Sequence, residues 1–429
     1  MSKKTIFSKD FILVMTGQII SIFGNQIVRY ALPLYLLNLT GSSVLFGTIL
    51  AVSFIPMLLL FPIGGIIADR VNKRNIMVIL DFGTAILIFL FYLLAGQMDI
   101  VVLMAITMIV LYGIQGAYQP AVQASVPVLV DAEHIMRGNS AVNLINSLGS
   151  MAGPVIGGIL FSVFGLTPIL YVSIACFFCS AVLEIFIRIP FKKSPSKGNI
   201  FVTGFADLKA SFAFMLKTQP VLWKVSLVYA SVNLLLTSLI LIGLPVLITQ
   251  RLGFDTDTAN RLYGYAQGVI AAGAVLGGLL AGVLSRKLKA KTNPLILIGC
   301  ALSVALGGAA LQLPMAAIGV YIVLSVGAGL LTALSTVFQI QIISYIGILT
   351  PKDLIGKVIS CVICVCMCTN PLGQFIYGFV FENIGGGAYL AFYAAASIVI
   401  AIAVPTRRIF YGIDRLIAER TKKPELDGN

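Results

Sequence analysis

A few ionisable side chains interrupt the long apolar runs of this 429-residue chain. A carboxylate inside an apolar helix is costly, so it is normally paired or used to bind and release a proton. Asp81, in ILDFGTAIL, lies about two helical turns beyond the basic segment DRVNKR. It is either a proton carrier or the ion-pair partner of that segment. Glu184 precedes Arg188 by four residues, the spacing of an intrahelical ion pair, and Glu382 stands near the end of its run. Asp81 is therefore the proton-coupling candidate.

Arg29, in FGNQIVRYALP, raises the opposite question, a cation with apolar sequence on both sides. It lies 18 residues after Phe11, about 27 Å along a helix. Its guanidinium either snorkels to an interface or faces a polar interior as a counter-ion to an anion. Thiols are the third group. Cys361, Cys364 and Cys368 share a helical face that Cys366 leaves, an arrangement open to soft-metal binding or to simple apolar packing. The only histidine, His134, sits in a polar turn, so no metal site is expected. One histidine also gives no triad, and no G-x-x-x-x-G-K-[ST] segment is present, which argues against an enzyme, a bound cofactor or direct use of ATP.

Amides form the remaining polar set. Gln18 and Asn25 share the first apolar run with Arg29, Gln115 and Gln119 lie in the fourth, and Asn143 and Asn146 in the fifth. Asn233 lies in the seventh, Gln267 in the eighth, Gln339 in the tenth, and Asn370 and Gln374 in the eleventh. Buried in an apolar medium, such groups mark either a substrate cavity or hydrogen bonds between helices.

The elements that position these groups are set by composition. Hydrophobic residues make up 59% of the chain and charged residues 10%, and mean hydropathy is +1.02, so the chain is an integral membrane protein. The runs are too long for strands and do not alternate, so the spans are helices. Twelve are expected, near 11–38, 44–67, 76–96, 100–126, 138–164, 167–189, 221–250, 260–284, 294–312, 315–346, 356–383 and 387–406. The first follows Lys3, Lys4 and Lys9 but is too long for a signal peptide and is read as retained.

With the amino terminus inside, the basic residues gather on the cytoplasmic side. Of 29 lysines and arginines only Arg29, Arg251 and Arg261 fall elsewhere. The expected topology is a multi-pass cell-membrane protein with both termini cytoplasmic. This bias explains the net charge of +13, and no basic cluster carries interleaved aromatics, so nucleic acid is not an expected partner.

The stretch near 190–219 breaks the apolar pattern and divides the chain into a first bundle (1–190), a cytoplasmic linker (191–219), a second bundle (220–406) and a cytoplasmic tail (407–429). The two halves repeat. An offset of 217 sets Gly47 on Gly264 and Gly65 on Gly282; an offset of 220 sets Gln119 on Gln339, Arg137 on Lys357 and Gly158 on Gly378. Two parallel six-helix repeats imply an all-α transporter with a mid-membrane cavity and alternating access.

Motifs add a resemblance. GGIIADRVNKRN, with Gly65, Asp69, Arg70, Lys73 and Arg74, resembles the loop signature of the major facilitator superfamily, where the loop latches the cytoplasmic gate. Physically, Gly65 would allow close helix approach, Asp69 would meet a helix dipole and the cations would meet acids or lipid phosphates. Asn72 stands where that signature has glycine, and asparagine is the next best residue for a left-handed turn. In the second half Arg286 replaces the aspartate.

Gly149, Gly153, Pro154, Gly157 and Gly158, in SLGSMAGPVIGGIL, are similar to the antiporter motif of the exporter branches. SIFGNQIVRYALPLYLLNLTGSSVLFG, ILDFGTAIL and PKDLIGKV are similar to the macrolide-efflux and siderophore-exporter group. That resemblance implies a secondary transporter, expected as a monomer among membrane lipids, that exports an amphipathic small molecule, drug-like, macrolide-like or siderophore-like, in exchange for protons. Against the pattern, an acid common in the first helix of that group is absent, with Gly24 and Asn25 in its place. Uptake or facilitated diffusion of an anionic metabolite or lipid, and a non-transporting sensor or scaffold, are the alternatives.

Overall fold

A computed structural model describes residues 8–131, 134–189, 212–284, 288–351 and 354–422. Most of the 191–219 linker, Arg286, Lys352, the end of the tail and the Asp69 side chain lie outside the described residues. Among the described residues there is no strand, and twelve helices are long and apolar enough to cross a membrane. The fold is all-α and polytopic, as hydropathy requires, because a backbone in hydrocarbon must satisfy its own hydrogen bonds.

The helices are α1 (Lys9–Thr40), α2 (Ser43–Arg70), α3 (Lys73–Leu94), α4 (Ile100–Leu129), α5 (Ile135–Phe164) and α6 (Leu166–Ile185). They continue with α7 (Pro220–Arg251), α8 (Thr256–Val283), α9 (Asn293–Gln312), α10 (Ala317–Leu349), α11 (Ile355–Asn383) and α12 (Ala388–Lys422). Short caps separate them. Ser8, Ser42 and Asp99 accept from the first-turn amides of α1, α2 and α4, and Gly41 closes α1 at φ 65, a left-handed position that glycine adopts without strain.

Asn72 does not make a left-handed turn. Its backbone is extended (φ −61, ψ 118) and its side chain caps α3 by accepting from the Arg74 amide at 3.1 Å, because an asparagine just before a helix gains more as an N-cap than as a turn residue. Two helices depart from regularity. In α7, π turns at Asn233–Thr237 and Leu247–Arg251 each insert a residue, which hydropathy cannot reveal. α12 continues past residue 406 to Lys422.

Packing divides the chain into two compact units, residues 1–197 with 245–268, and residues 198–244 with 269–429. In the first, α1 packs on α5 and α6, α2 on α4, and α3 on α4 and α6. Its core near one end of the helices joins Phe11, Val14, Met77, Val122 and Val126 with Ile187 from the segment after α6. In the second, α9 packs on α10 and α12, and α7 on α11.

Close approaches use small residues, as expected where helices associate without a hydrophobic drive. A Cβ at Gly116 of α4 would lie 2.7 Å from the Met57 carbonyl of α2, and one at Gly64 would lie 2.7 Å from Ala117 Cα. The approach of α2 to α4 therefore falls on Gly64 rather than Gly65, whose Cβ would meet only Pro120 at 4.0 Å, since one helical step turns Gly65 about 100° away. In the second unit Gly273 and Gly277 of α8 meet the backbone at Gly329 and Ala333 of α10.

Candidate functional site

The polar centre of the first unit is built on α1. Gln18 and Ser21 are buried on its inward side, facing Tyr118 of α4, Asp81 of α3 and Glu184 of α6. Ser21 Oγ donates to Asp81 Oδ1 at 3.0 Å, Gln18 Nε2 donates to Tyr118 Oη at 2.6 Å, and Tyr118 Oη donates to Glu184 Oε1 at 2.8 Å. Asp81 is 2% exposed and Glu184 0%, so both carboxyls are enclosed by the four helices. Asp81 Oδ2 and Glu184 Oε2 accept no hydrogen bond.

Glu184 is not the intrahelical partner of Arg188. α6 ends at Ile185, so the four-residue spacing no longer lies on one helix, and the Arg188 amide instead donates to Asp10 at 2.9 Å. Asp81 likewise bonds to Ser21 and not to the basic segment preceding α3. The sequence reading missed the part played by Glu184 and Tyr118. A hint was present in Glu184, an acid only one residue from a helix end that nonetheless sits in an apolar run.

Beside this cluster lies a cavity of about 40 Å³ within the first unit, large enough for water. Asp81, Thr84 and Tyr118 form one wall; Asn25, Gln115, Gln119 and Asn146 supply amides to it. Gln18 reaches it only through Tyr118, and Asn143 is exposed on α5. Arg29 is held by α4: it donates to Gln115 Oε1, and its Cζ stands 4.0 Å from the centroid of the Tyr112 ring. The stacking combines cation–π attraction with the planar guanidinium's hydrogen bond.

The glycines of α5 form a groove for α1. A Cβ at Gly149 would fall on Ile22, one at Gly153 on Gln26, and one at Gly157 would lie 3.4 Å from Tyr30 Cδ1. Gln26 Nε2 donates to Ser150 Oγ at 2.8 Å within that groove. Gly158 turns elsewhere: its Cβ would lie 2.9 Å from Gly264 Cα, and a Cβ at Gly264 would lie 2.9 Å from the Pro154 carbonyl. Tyr30 stacks on Tyr263 at 5.2 Å and donates to the Asn260 carbonyl at 2.5 Å.

Gln267 donates to Tyr263 Oη at 2.6 Å, one turn away on its own helix. In the second unit Asn233 donates to the Tyr229 carbonyl at 3.1 Å, and its own carbonyl accepts from Ser238 at 3.0 Å across the π turn. Gln374 is fully buried and neither side-chain polar atom has a partner, while Asn370 is half-buried with Oδ1 unpartnered. Gln339 is half-buried. At the α2–α3 turn Arg70 is exposed, Lys73 and Arg74 are half-buried, and Arg74 Nε lacks a partner.

Cys361 and Cys366 are buried, whereas Cys364 and Cys368 are exposed; among the described residues no three histidine, cysteine or carboxylate side chains converge to hold a metal. Outside the spans, Asp255 caps α8. Its carboxylate is held below the usual aspartate range by hydrogen bonds from Thr258, first from the backbone amide at 2.9 Å.

Known proteins place this architecture. Macrolide efflux protein A of Streptococcus pyogenes is 24% identical over 191 residues, 44% of this chain and 47% of that protein. Enterobactin exporter EntS of Salmonella choleraesuis is 24% identical over 65% of each chain. The chain thus matches about half to two thirds of the length of these relatives.

Among solved structures, a bacterial homologue of the human lysosomal transporter Spinster superposes with a TM-score of 0.69 at 14% identity, covering 96% of this chain and 98% of that one. A bacterial homologue of the iron transporter ferroportin gives 0.68 at 15% identity, covering 94% and 98%. These likenesses establish the fold. Residues 14–360 match the sequence profile of the Major Facilitator Superfamily, and the chain, a multi-pass membrane protein with efflux-pump and siderophore-exporter relatives, belongs to that family.

Proposed function

We propose that the protein exports an amphipathic organic compound in exchange for protons, by alternating access of its two six-helix repeats. The observation that carries the coupling is the enclosed pair of carboxyls, Asp81 and Glu184, beside a cavity lined with amides. Export as the direction draws support from the relatives, named as a macrolide efflux protein and an enterobactin exporter, and from the glycine groove of α5. Amides without fixed charge suit a moderately polar organic molecule, because they orient a ligand without demanding a counter-ion.

On this reading Asn233, Asn370, Gln374 and Gln339 of the second unit are further substrate contacts, and the chain is organised as bundles 1–190 and 220–406 with 191–219 as linker. The basic turn holding Asp69, Arg70, Lys73 and Arg74 serves the cytoplasmic gate. Both termini are cytoplasmic, the host membrane is the cell membrane and the working unit is the monomer.

Everted membrane vesicles test the proposal. An imposed proton gradient, acid inside, is expected to drive ethidium, a macrolide or a catecholate siderophore into the lumen. Accumulation that follows only the compound's own gradient would remove the antiport reading. Thermal stabilisation of the purified protein across the same panel identifies which compound binds.

A further inference from the structure

Each of the two carboxyls has one oxygen held by a hydroxyl and one without a partner. Ser180 Oγ spends its hydrogen on the Gly17 carbonyl at 3.0 Å, and Tyr118 spends its own on Glu184 Oε1. Of the neighbouring hydroxyls, Ser21 alone hydrogen-bonds to Asp81, while Ser180 and Tyr118 direct their hydrogens to Gly17 and Glu184. Asp81 Oδ2 is left without a partner, a position that costs an ionised carboxylate more than a protonated one. Glu184 likewise accepts one hydrogen bond, from Tyr118, and its Oε2 is unpartnered.

Among the described residues no cation compensates the pair. The titratable groups that face Asp81 are Tyr118 from α4 and Glu184 from α6; α1 presents Gln18 and Ser21, and α5 presents Asn146 across the cavity. Among the described residues no lysine, arginine or histidine bonds to either carboxyl. Access is unequal as well. Asp81 and Tyr118 line the cavity, whereas Glu184 is fully buried behind the tyrosine.

We propose that Asp81, Tyr118 and Glu184 form one proton-binding site on α3, α4 and α6, in which Asp81 exchanges its proton with the cavity and Glu184, behind the Tyr118 bridge, sets the equilibrium. The inference rests on the antiport reading for its link to transport. The step is balanced simply: the Asp81 O–H bond breaks, the proton passes to cavity water, and the electron pair stays on the carboxylate. Tyr118 then turns its hydrogen from Glu184 toward Asp81, and Gln18 Nε2 holds the phenol oxygen in place throughout. Tyr118 is a positioning residue here, because it moves a hydrogen bond and keeps its own proton.

Infrared spectroscopy of the purified full chain in lipid measures this without any substrate. A protonated-carboxyl C=O band is expected to titrate in the wild type, to vanish in Asp81→Asn, and to change frequency in Tyr118→Phe. Glu184→Gln is expected to move the Asp81 midpoint by about one pH unit or more, as for interacting acids. Glu184→Asp, with intact monodispersity, serves if the glutamine variant does not fold. A midpoint unmoved by both Glu184 variants, or a band that survives Asp81→Asn unchanged, would overturn the proposal. Ethidium accumulation in everted vesicles separates the two readings. Titration as described with no gradient-driven uptake leaves the proton site standing and sinks antiport. Gradient-driven uptake that persists in Asp81→Asn and Glu184→Gln leaves antiport standing and sinks the site.

Discussion

Neighbouring glycines on α8 should respond oppositely to the same substitution. A Cβ added at Gly277 would fall on the Ala333 carbonyl of α10 and lie 2.9 Å from Ala333 Cα, where ordinary contact begins at 3.4 Å. The shortfall is at least 0.5 Å, the difference between those distances, and it falls on backbone atoms that cannot rotate away. Forcing the helices apart costs about 1–3 kcal/mol. Alanine returns about 1 kcal/mol of helix propensity over glycine, so Gly277→Ala is expected to be about 0–2 kcal/mol less stable than wild type. At Gly278 nothing lies within 4 Å, and the same change gains about 1 kcal/mol. The two variants should therefore differ by about 1–3 kcal/mol although they are adjacent. Thermal unfolding of both purified proteins in one detergent measures the order. If Gly277→Ala proves as stable as Gly278→Ala, the α8–α10 contact is not backbone-limited and the argument fails.

Other perturbations follow from the same geometry. Tyr118→Phe leaves Gln18 and Glu184 without their shared partner and should lower stability by about 1–3 kcal/mol, read by the same melting assay. Arg29→Ala should abolish transport while folded yield is preserved; unchanged ethidium transport would make the Gln115 and Tyr112 contacts purely structural. Asp255 is held below the ordinary aspartate value, so its support of α8 is present above that value and is lost as pH falls through the lower folded value. Hydrogen exchange at Thr258 and Ala259 should accelerate across that acid window in wild type and show no such step in Asp255→Asn.

Hydropathy carried the twelve spans because each run must satisfy its backbone in lipid, a constraint that is local along the chain. The glycines of α5 were legible for a similar reason: their four-residue spacing defines a helical face before any partner is known. Partners were not legible. Gln18 and Tyr118 are separated by 100 residues, and nothing in either neighbourhood announces the other. Glu184 shows how local reasoning misleads, since its spacing to Arg188 has meaning only if the helix continues, and α6 stops at Ile185. The thiols of α11 illustrate a subtler limit. Helical spacing grouped Cys361 with Cys364 and Cys368, but burial groups Cys361 with Cys366, because neighbours rather than periodicity decide which arc of a helix is covered.

The groove between α1 and α5 has one more consequence. Gly149, Gly153 and Gly157 recur every four residues, about 6 Å of rise, and Ile22, Gln26 and Tyr30 recur at the same interval on α1. Two surfaces of equal period mate in more than one register. Displaced by one interval, Gln26 would rest on Gly149 and Tyr30 on Gly153, with Ile22 carried onto Ile145. The contact behaves as a ruler graduated at about 6 Å, and the Gln26–Ser150 hydrogen bond is the mark at which it now stands.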